Sequence, residues 1–288
     1  MFDLLTEPLE FAFMQRAFLA ASLAAVVCAA VGTFVVLKGL AFMGDAVAHS
    51  SLAGMALVYA LGGSILLGAL AWVVPASLVI TYVSRRANVM LDTSIGIIYA
   101  GGFALGIIIL SQVSNYTVDL FGFLFGNVLG ATWGDIIIIG AVAAAVLLVM
   151  AILYKELIFT SYDSTMAEVS GVPVRLVQYL MPLLIGVTTV VALKTVGIVL
   201  VLALLVTPAA TARLLVRRLP LMMATSVLVA LAATVVGLYL SFHLDLASGP
   251  TIVLVATGIF ALALVVSPSR GVVWRRRSRE AISTSVGA

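Results

Sequence analysis

The chain has 288 residues, of which 64% are hydrophobic and 9% are charged, and its mean hydropathy is +1.27. Because soluble domains carry roughly 25% charged residues, this composition excludes a water-soluble globular protein and indicates that lipid surrounds most of the chain. The formal net charge of +3 does not indicate nucleic-acid binding, because the basic residues stand at the ends of apolar runs rather than in one patch.

Nine apolar segments follow one another, and most reach the ~20 residues that a helix needs to cross a bilayer. The residues before the first segment are acidic (Asp3, Glu7 and Glu10), unlike the basic start of a cleaved signal peptide. The second segment is the weakest, because it contains Asp45 and His49. The segments are 14–37, 40–62, 64–84, 93–111, 134–153, 174–193, 196–216, 220–242 and 250–267. The sequence therefore predicts an all-α integral membrane protein, a polytopic bundle of about nine (eight to nine) transmembrane helices.

Lysine and arginine residues indicate the orientation, because cytoplasmic loops are enriched in them. If the chain alternates sides and Arg85 and Arg86 are inside, all 15 basic residues except Arg16 and Lys194 fall inside. We therefore expect a multi-pass protein of the cytoplasmic membrane with its N-terminus outside and its C-terminus inside. The basic tail, 268–288, is then expected to anchor at anionic headgroups.

The most informative stretch is residues 38–54, KGLAFMGDAVAHSSLAG. Asp45 and His49 are four residues apart, so they share one face of a helix. Ionisable side chains at membrane depth cost ~2.5–3.5 kcal/mol on insertion scales and normally face a bundle interior or a hydrated path. A carboxylate oxygen and an imidazole nitrogen are suitable ligands for Mn²⁺ or Zn²⁺. From residue types alone, a hydrogen-bonded pair that only locks the helix is an equal alternative.

Two further acidic residues, Asp119 and Asp245, lie in loops that this orientation places outside. A metal ion would arrive from that side, so both residues are candidates for an outer gate that attracts the cation. The alternative is that they are solvated carboxylates that cap short helices. For direct ligation of a metal, we favour the second interpretation.

The longest polar loop on the predicted inner side is 154–175. Its centre predicts a short helix that is capped at Asp163 or Ser164, contains Glu168 and ends at Gly171. A plain solvated loop is the alternative.

The sequence contains no G-x-x-x-x-G-K-[ST] phosphate loop, because none of its three lysines follows the required glycines. It contains no H-E-x-x-H motif either, which argues against an intramembrane zinc protease. We therefore predict a transport subunit rather than an enzyme, and ATP can supply energy only through a separate partner.

Three regions resemble the permease subunits of ABC importers for manganese, zinc and related metals. They are GDAVAHSSLAG (44–54), VDLFGFLFGNVLG (118–130), and the pair of stretches 170–215 and 237–260. Any one of these motifs is a weak signal, but their order and spacing over nearly the whole chain are specific.

The resemblance implies that residues 1–288 form one permease domain of the type II ABC importer kind. It implies a homodimer around one central path, two ATPase subunits on the cytoplasmic face and a metal-binding protein on the outer face. It further implies that Asp45 and His49 contact the passing ion and that 154–175 contains the helix that couples to the ATPase, with Asp163, Glu168 and Gly171 as its candidate residues. No permanently bound cofactor is expected, and the cargo would be Mn²⁺ or Zn²⁺, with iron not excluded.

Three competing functions remain. A permease for cobalamin or an iron–siderophore has a related architecture, but its bulky organic cargo does not need an Asp–His pair within the membrane. An integral membrane hydrolase or transferase would need a convergent catalytic cluster, and the sequence offers none. A self-sufficient carrier would transport its cargo in vesicles that hold this chain alone.

Overall fold

The computed structural model describes residues 7–8, 10–112 and 126–267. Asp119 and the basic tail 268–288 lie outside the described residues, so their predicted roles stay predictions. The described elements are helical, and one of them is a short 3₁₀ turn at Val128–Gly130. The α-helices are α1 (Ala12–Lys38), α2 (Met43–Ser50), α3 (Leu52–Ala60), α4 (Ile65–Arg86), α5 (Leu91–Ser111), α6 (Trp133–Ile152), α7 (Tyr154–Tyr162), α8 (Ser164–Val169), α9 (Val174–Val196), α10 (Ile198–Leu215), α11 (Leu219–Leu244) and α12 (Ser248–Val266).

Among the described residues, eight helices are long and apolar enough to cross a membrane: α1, α4, α5, α6, α9, α10, α11 and α12. The second predicted segment is instead two shorter helices, α2 and α3, which meet at Ser51. The hydroxyl of Ser50 donates to the carbonyl of Val47 at 3.2 Å, and that of Ser51 donates to the carbonyl of Ala48 at 2.6 Å. Such bonds back to the preceding turn compete with the helical ladder and bend helices, which accounts for the interruption.

The α2–α3 segment nevertheless crosses the bundle from one end to the other. Leu40, just before α2, lines a cavity together with Arg85 and Leu91. Tyr59, near the end of α3, lines a second cavity with Gln112. Because the whole of α5 separates Leu91 from Gln112, the two cavities lie at opposite ends of the bundle. The predicted count of eight to nine spans is therefore confirmed for the described residues.

The two ends of the bundle are the Lys38 end and the Lys194 end. At the Lys38 end, the guanidinium Nη1 of Arg213 donates to the carbonyl of Val36 at 3.2 Å, which brings the end of α10 to the end of α1. The Lys194 end is the opposite one. Val177, in the first turn of α9, lines the cavity at the Lys38 end, and α9 runs from there across the bundle to Lys194.

Helices α1 and α9 form the centre of the bundle. The most apolar part of α1 is 72% buried and that of α9 is 67% buried, whereas the value is 28% for α5, α6 and α12. The central position of α1 depends on small residues, since a Cβ atom on Gly32 would collide with the carbonyl of Leu205 in α10. The peripheral helices are apolar on their exposed faces too, as expected of helices that contact lipid.

Glycines hold the α2–α3 segment on three sides. A Cβ atom on Gly44 would come within 2.8 Å of the side chain of Leu205 in α10. Gly54 and Gly68 lie backbone to backbone between α3 and α4. Gly102 of α5 faces Ser50 so closely that a Cβ atom there would lie 2.8 Å from the Cβ of Ser50. Small residues that allow this approach are the usual contact of membrane helices.

We expect Gly102→Ala to destabilise the protein by about 1–3 kcal/mol, because the added methyl group overpacks the α2–α5 contact. Gly101→Ala is the matched control, since nothing lies within 4 Å of a Cβ atom at that position. Thermal unfolding of the two detergent-purified variants, compared with the unmodified protein, measures the difference. Equal melting temperatures for both variants would show that this close contact does not hold the segment.

Candidate functional site

Asp45 and His49 lie in the first and last turns of α2, on one face as predicted. The Nδ1 atom of His49 lies 3.2 Å from Oδ1 of Asp45 and 3.0 Å from the carbonyl oxygen of Asp45. Because both partners are acceptors, this geometry assigns the ring proton to Nδ1. The lone pair on Nε2 is then free for a metal ion. A histidine ligand commonly donates its other ring N–H to a carboxylate in this way.

Two aromatic side chains of α5 form a wall beside the imidazole. The ring centroid of Tyr99 lies 5.4 Å from that of His49, with the planes at 87°, and the centroid of Phe103 lies 6.0 Å away. The two aromatic rings lie 6.2 Å apart with their planes at 19°. This wall restricts the rotation of the imidazole and keeps lipid from one side of it. Sequence reasoning did not identify Tyr99 or Phe103, although their spacing of four residues places them on one helical face.

Asp45 and His49 lie on the less buried side of α2. The side chain of Asp45 is 33% exposed and that of His49 is 20% exposed, whereas Gly44, Ala46 and Ala48 beside them are buried. Counted at 1.5 Å per residue, His49 lies roughly midway between the two ends of the segment that crosses the bundle. Polar groups at that depth are costly against lipid, so water or a second protein surface must cover this face.

One chain offers an incomplete metal site. Among the described residues, no group of three or more His, Cys, Asp and Glu side chains could hold a metal ion together. A structural zinc site needs four protein ligands, whereas this face supplies one imidazole and one carboxylate. The arrangement is therefore suited to a transient contact or to a site that another molecule completes.

The structure does not bring Asp245 to this pair. Asp245 follows α11 with a left-handed backbone (φ 51°), and its N–H donates to the carbonyl of Ser241. Since α11 starts at the Lys38 end, Asp245 lies at the Lys194 end, whereas Asp45 is only seven residues from Lys38. Asp245 ends α11 through its backbone N–H and not through a side-chain cap, and the next helix, α12, has Ala247 as its N-cap. Both the capping and the gating interpretations of the Asp245 carboxylate therefore stay predictions.

The predicted short helix in the loop 154–175 is present as α8. Oδ1 of Asp163 accepts hydrogen bonds from the N–H groups of Thr165 and Met166, both at 2.9 Å, so Asp163 is its N-cap. Gly171 has the positive φ of 82° that favours glycine. Most of α8 is exposed, including Glu168 and the apolar side chain of Val169 at 81%. An exposed, capped helix with apolar side chains is suited to contact with a partner.

An ion pair at the Lys194 end was not predicted. Nζ of Lys194 lies 2.7 Å from Oδ1 of Asp135, at the start of α6. Thr132 and Asp135 also form a capping box there. This contact joins α9 to α6 and explains why Lys194 is one of the few basic residues on the predicted outer side. The one available sequence signal was an acidic residue in the first turn of an apolar run.

Comparison with known proteins decides the family. The model of the ABC 3 transport family matches residues 10–267. The chain belongs to this family. The resemblance inferred from the three motif regions is therefore confirmed.

Named relatives and a solved structure agree with this assignment. The manganese transport system membrane protein MntC of Halalkalibacterium halodurans is 41% identical over 281 residues, which are 96% of each chain. The manganese import system permease protein ScaB of Streptococcus gordonii is 38% identical, over 91% of this chain and 94% of that protein. The structure of PsaBC from Streptococcus pneumoniae in complex with Fab matches with a TM-score of 0.82 and 36% identity, over 93% of this chain and 96% of that one. The predicted all-α ABC permease fold is thus confirmed.

We expect Lys194→Met to destabilise the protein by about 1 kcal/mol. The lysine side chain is 57% exposed and exposed ion pairs contribute little, while the Asp135 carboxylate is 13% exposed and keeps its hydrogen bonds from Thr132. The effect should shrink further at high salt, which screens the charges. Lys155→Met is the control, since Lys155 has no side-chain hydrogen bond or ion pair within the described ranges. Thermal unfolding at low and high salt tests this, and a salt-independent loss would contradict an electrostatic contribution.

Proposed function

We propose that this chain is the membrane-spanning permease subunit of an ABC importer that moves Mn²⁺, and that Asp45 and His49 contact the passing ion. The observation that carries the proposal is the partly exposed pair midway along the α2–α3 segment, with Nε2 of His49 left free by the bond to Asp45. The names of the relatives that are 38–41% identical support manganese as the cargo. They favour a metal ion over cobalamin or an iron–siderophore.

The donor set fits a cargo that must leave again. Carboxylate oxygen suits Mn²⁺, and imidazole is acceptable to most divalent first-row metals. A transported ion needs sites that are favourable enough to enter and weak enough to leave. With two side-chain donors per chain, bound water would complete the coordination of the ion in passage.

We propose that a second copy of the chain covers the exposed face of α2 that carries Asp45 and His49. In a twofold symmetric dimer the same patch faces itself, so two carboxylates and two imidazoles would converge on one central path. Such an arrangement keeps the polar groups from lipid and raises the number of donors without any new ligand type. Release of the ion then requires only that the two sets of donors move apart.

ATP hydrolysis reaches this path through α8, in our proposal. The exposed helix would fit into a separate ATPase subunit on the cytoplasmic face, and the predicted orientation places the Lys38 end there. A metal-binding protein would deliver the ion to the opposite, outer face. Asp163 and Gly171 set the start and end of the helix, while Glu168 lies on its exposed surface.

The double variant Asp45→Asn with His49→Ala should lower the initial rate of Mn²⁺ uptake by at least about tenfold, since loss of even outer-sphere partners costs a metal site that much. Uptake is measured in cells without their own importers that express the chain with its ATPase and binding protein. Zn²⁺ is tested in parallel, and cells without the ATPase give the background.

His243→Ala is the matched control for this experiment. The Nδ1 atom of His243 also lies near the carbonyl four residues earlier, at 2.9 Å, but this residue is at the Lys194 end. The His243→Ala variant should take up Mn²⁺ at the unmodified rate. Normal uptake by the Asp45/His49 variant, at equal membrane levels, would leave the pair with a purely structural role.

Asp163→Ala should weaken coupling by about fivefold, because loss of an N-cap costs a helix ~1 kcal/mol. ATP hydrolysis by the reconstituted transporter, stimulated by the metal-loaded binding protein, measures this effect. Ser164→Ala is the control at the neighbouring exposed position. If both variants hydrolyse ATP at the unmodified rate, the ordered start of α8 has no part in coupling.

A further inference from the structure

A cavity at the Lys38 end has no role in the transport path proposed above. It has a volume of about 310 Å³, which is at the lower end of the range for small-molecule sites. It lies where the ends of α1 and α4 meet the beginnings of α5 and α9. Its lining residues are Lys38, Leu40, Thr81, Ser84, Arg85, Leu91, Val177, Gln178, Met181 and Pro182.

The charges that line this cavity are all positive. Lys38 and Arg85 contribute cationic groups, and no acidic residue is among the residues that line it. Nζ of Lys38 donates to the carbonyl oxygen and the hydroxyl of Thr160, at 3.4 and 3.2 Å, so one of its three N–H groups remains. The guanidinium of Arg85 has no hydrogen bond or ion pair with the described residues. Two cationic groups without a counter-charge favour an anion between them.

The other residues that line the cavity are partly polar and partly apolar. Gln178 contributes an amide, whose NH₂ group can donate to an anion, while its acceptor Oε1 is buried without a hydrogen-bond partner in the described part of the chain. Leu40, Leu91 and Met181 add apolar surface. A purely ionic ligand would leave this apolar surface unused, whereas an amphiphile with a phosphate and a hydrocarbon part would contact both.

We propose that this cavity binds the phosphate group of an anionic phospholipid headgroup. The headgroup phosphate would lie between Lys38 and Arg85, and the glycerol and acyl carbons would lie against the leucine and methionine side chains. Basic pockets between the ends of membrane helices are suited to such lipids. The cavity lies at the end of the spanning helices, which is the depth of the headgroups, so a lipid reaches it without leaving the bilayer.

Free inorganic phosphate offers the same anionic group, and the two sources are distinguishable. Phosphate lacks the hydrocarbon part and would compete with the lipid only through the two cations. The transporter complex, permease with ATPase, is purified from nanodiscs of phosphatidylglycerol and phosphatidylcholine mixed equally. Native mass spectrometry then counts the retained lipids, with and without added phosphate.

Arg85→Gln is the test variant, and Arg86→Gln is its control. Arg86 is the neighbouring basic residue on the same helix end and does not line the cavity. A basic residue near the membrane surface contributes about a fivefold preference for an anionic lipid. We expect Arg85→Gln to lower the retention of phosphatidylglycerol over phosphatidylcholine by about that factor, and Arg86→Gln to leave it unchanged.

Leu91→Phe, which narrows the apolar part of the cavity and keeps both cations, should also lower the retention. The proposal is overturned if the complex retains both lipids equally, or if Arg85→Gln and Arg86→Gln have the same effect. It is also overturned if millimolar phosphate abolishes the preference for phosphatidylglycerol and the mass spectra show phosphate bound in its place, because the ligand would then be free phosphate. Loss of retention in both Arg85→Gln and Leu91→Phe supports it.

Discussion

An ionisable Asp–His pair within a membrane span is the constraint on which the rest of the structure depends. Side chains of this kind cost several kcal/mol against lipid, so the segment that carries them needs compensation from tight packing elsewhere. The bond from Nδ1 of His49 to Oδ1 of Asp45 satisfies one polar atom of each residue. The free Nε2 atom and the partial exposure of both side chains leave a site that only another surface, water or a metal ion can complete.

Glycine supplies that compensating packing. Gly44, Gly54 and Gly102 lie at contacts where any side chain would meet a neighbouring helix, so α2 and α3 are held on three sides by α10, α4 and α5. Close approach increases the dispersion contacts of each helix, which matters because no hydrophobic effect drives helices together inside lipid. The same geometry brings Tyr99 of α5 against the ring of His49, so the packing and the site are one arrangement.

The sequence predicts those features that depend on local order. Apolar runs predict the spans, and a spacing of four predicts the shared face of Asp45 and His49. The polar pair Asp163 and Ser164 predicts the start of α8 to within one residue. The interruption at Ser51 was not predicted. Whether a serine hydroxyl donates to water or to a carbonyl of the preceding turn depends on its surroundings in the folded bundle, which the local sequence does not specify. The pairing of Asp135 with Lys194 joins residues that are 59 positions apart. No local pattern distinguishes such a pair from two solvated charges.

Both candidate ligands, Asp45 and His49, lie within about one and a half turns of one helix, and this restricts how the cargo can be released. Their separation is set by the helical repeat, so a rigid-body motion of the chain cannot pull one donor from the other. In the proposed dimer, a large change in affinity would therefore come from the distance to the donors of the second copy. In that case a small shift between subunits would halve the number of protein donors on the ion while leaving each bundle unstrained.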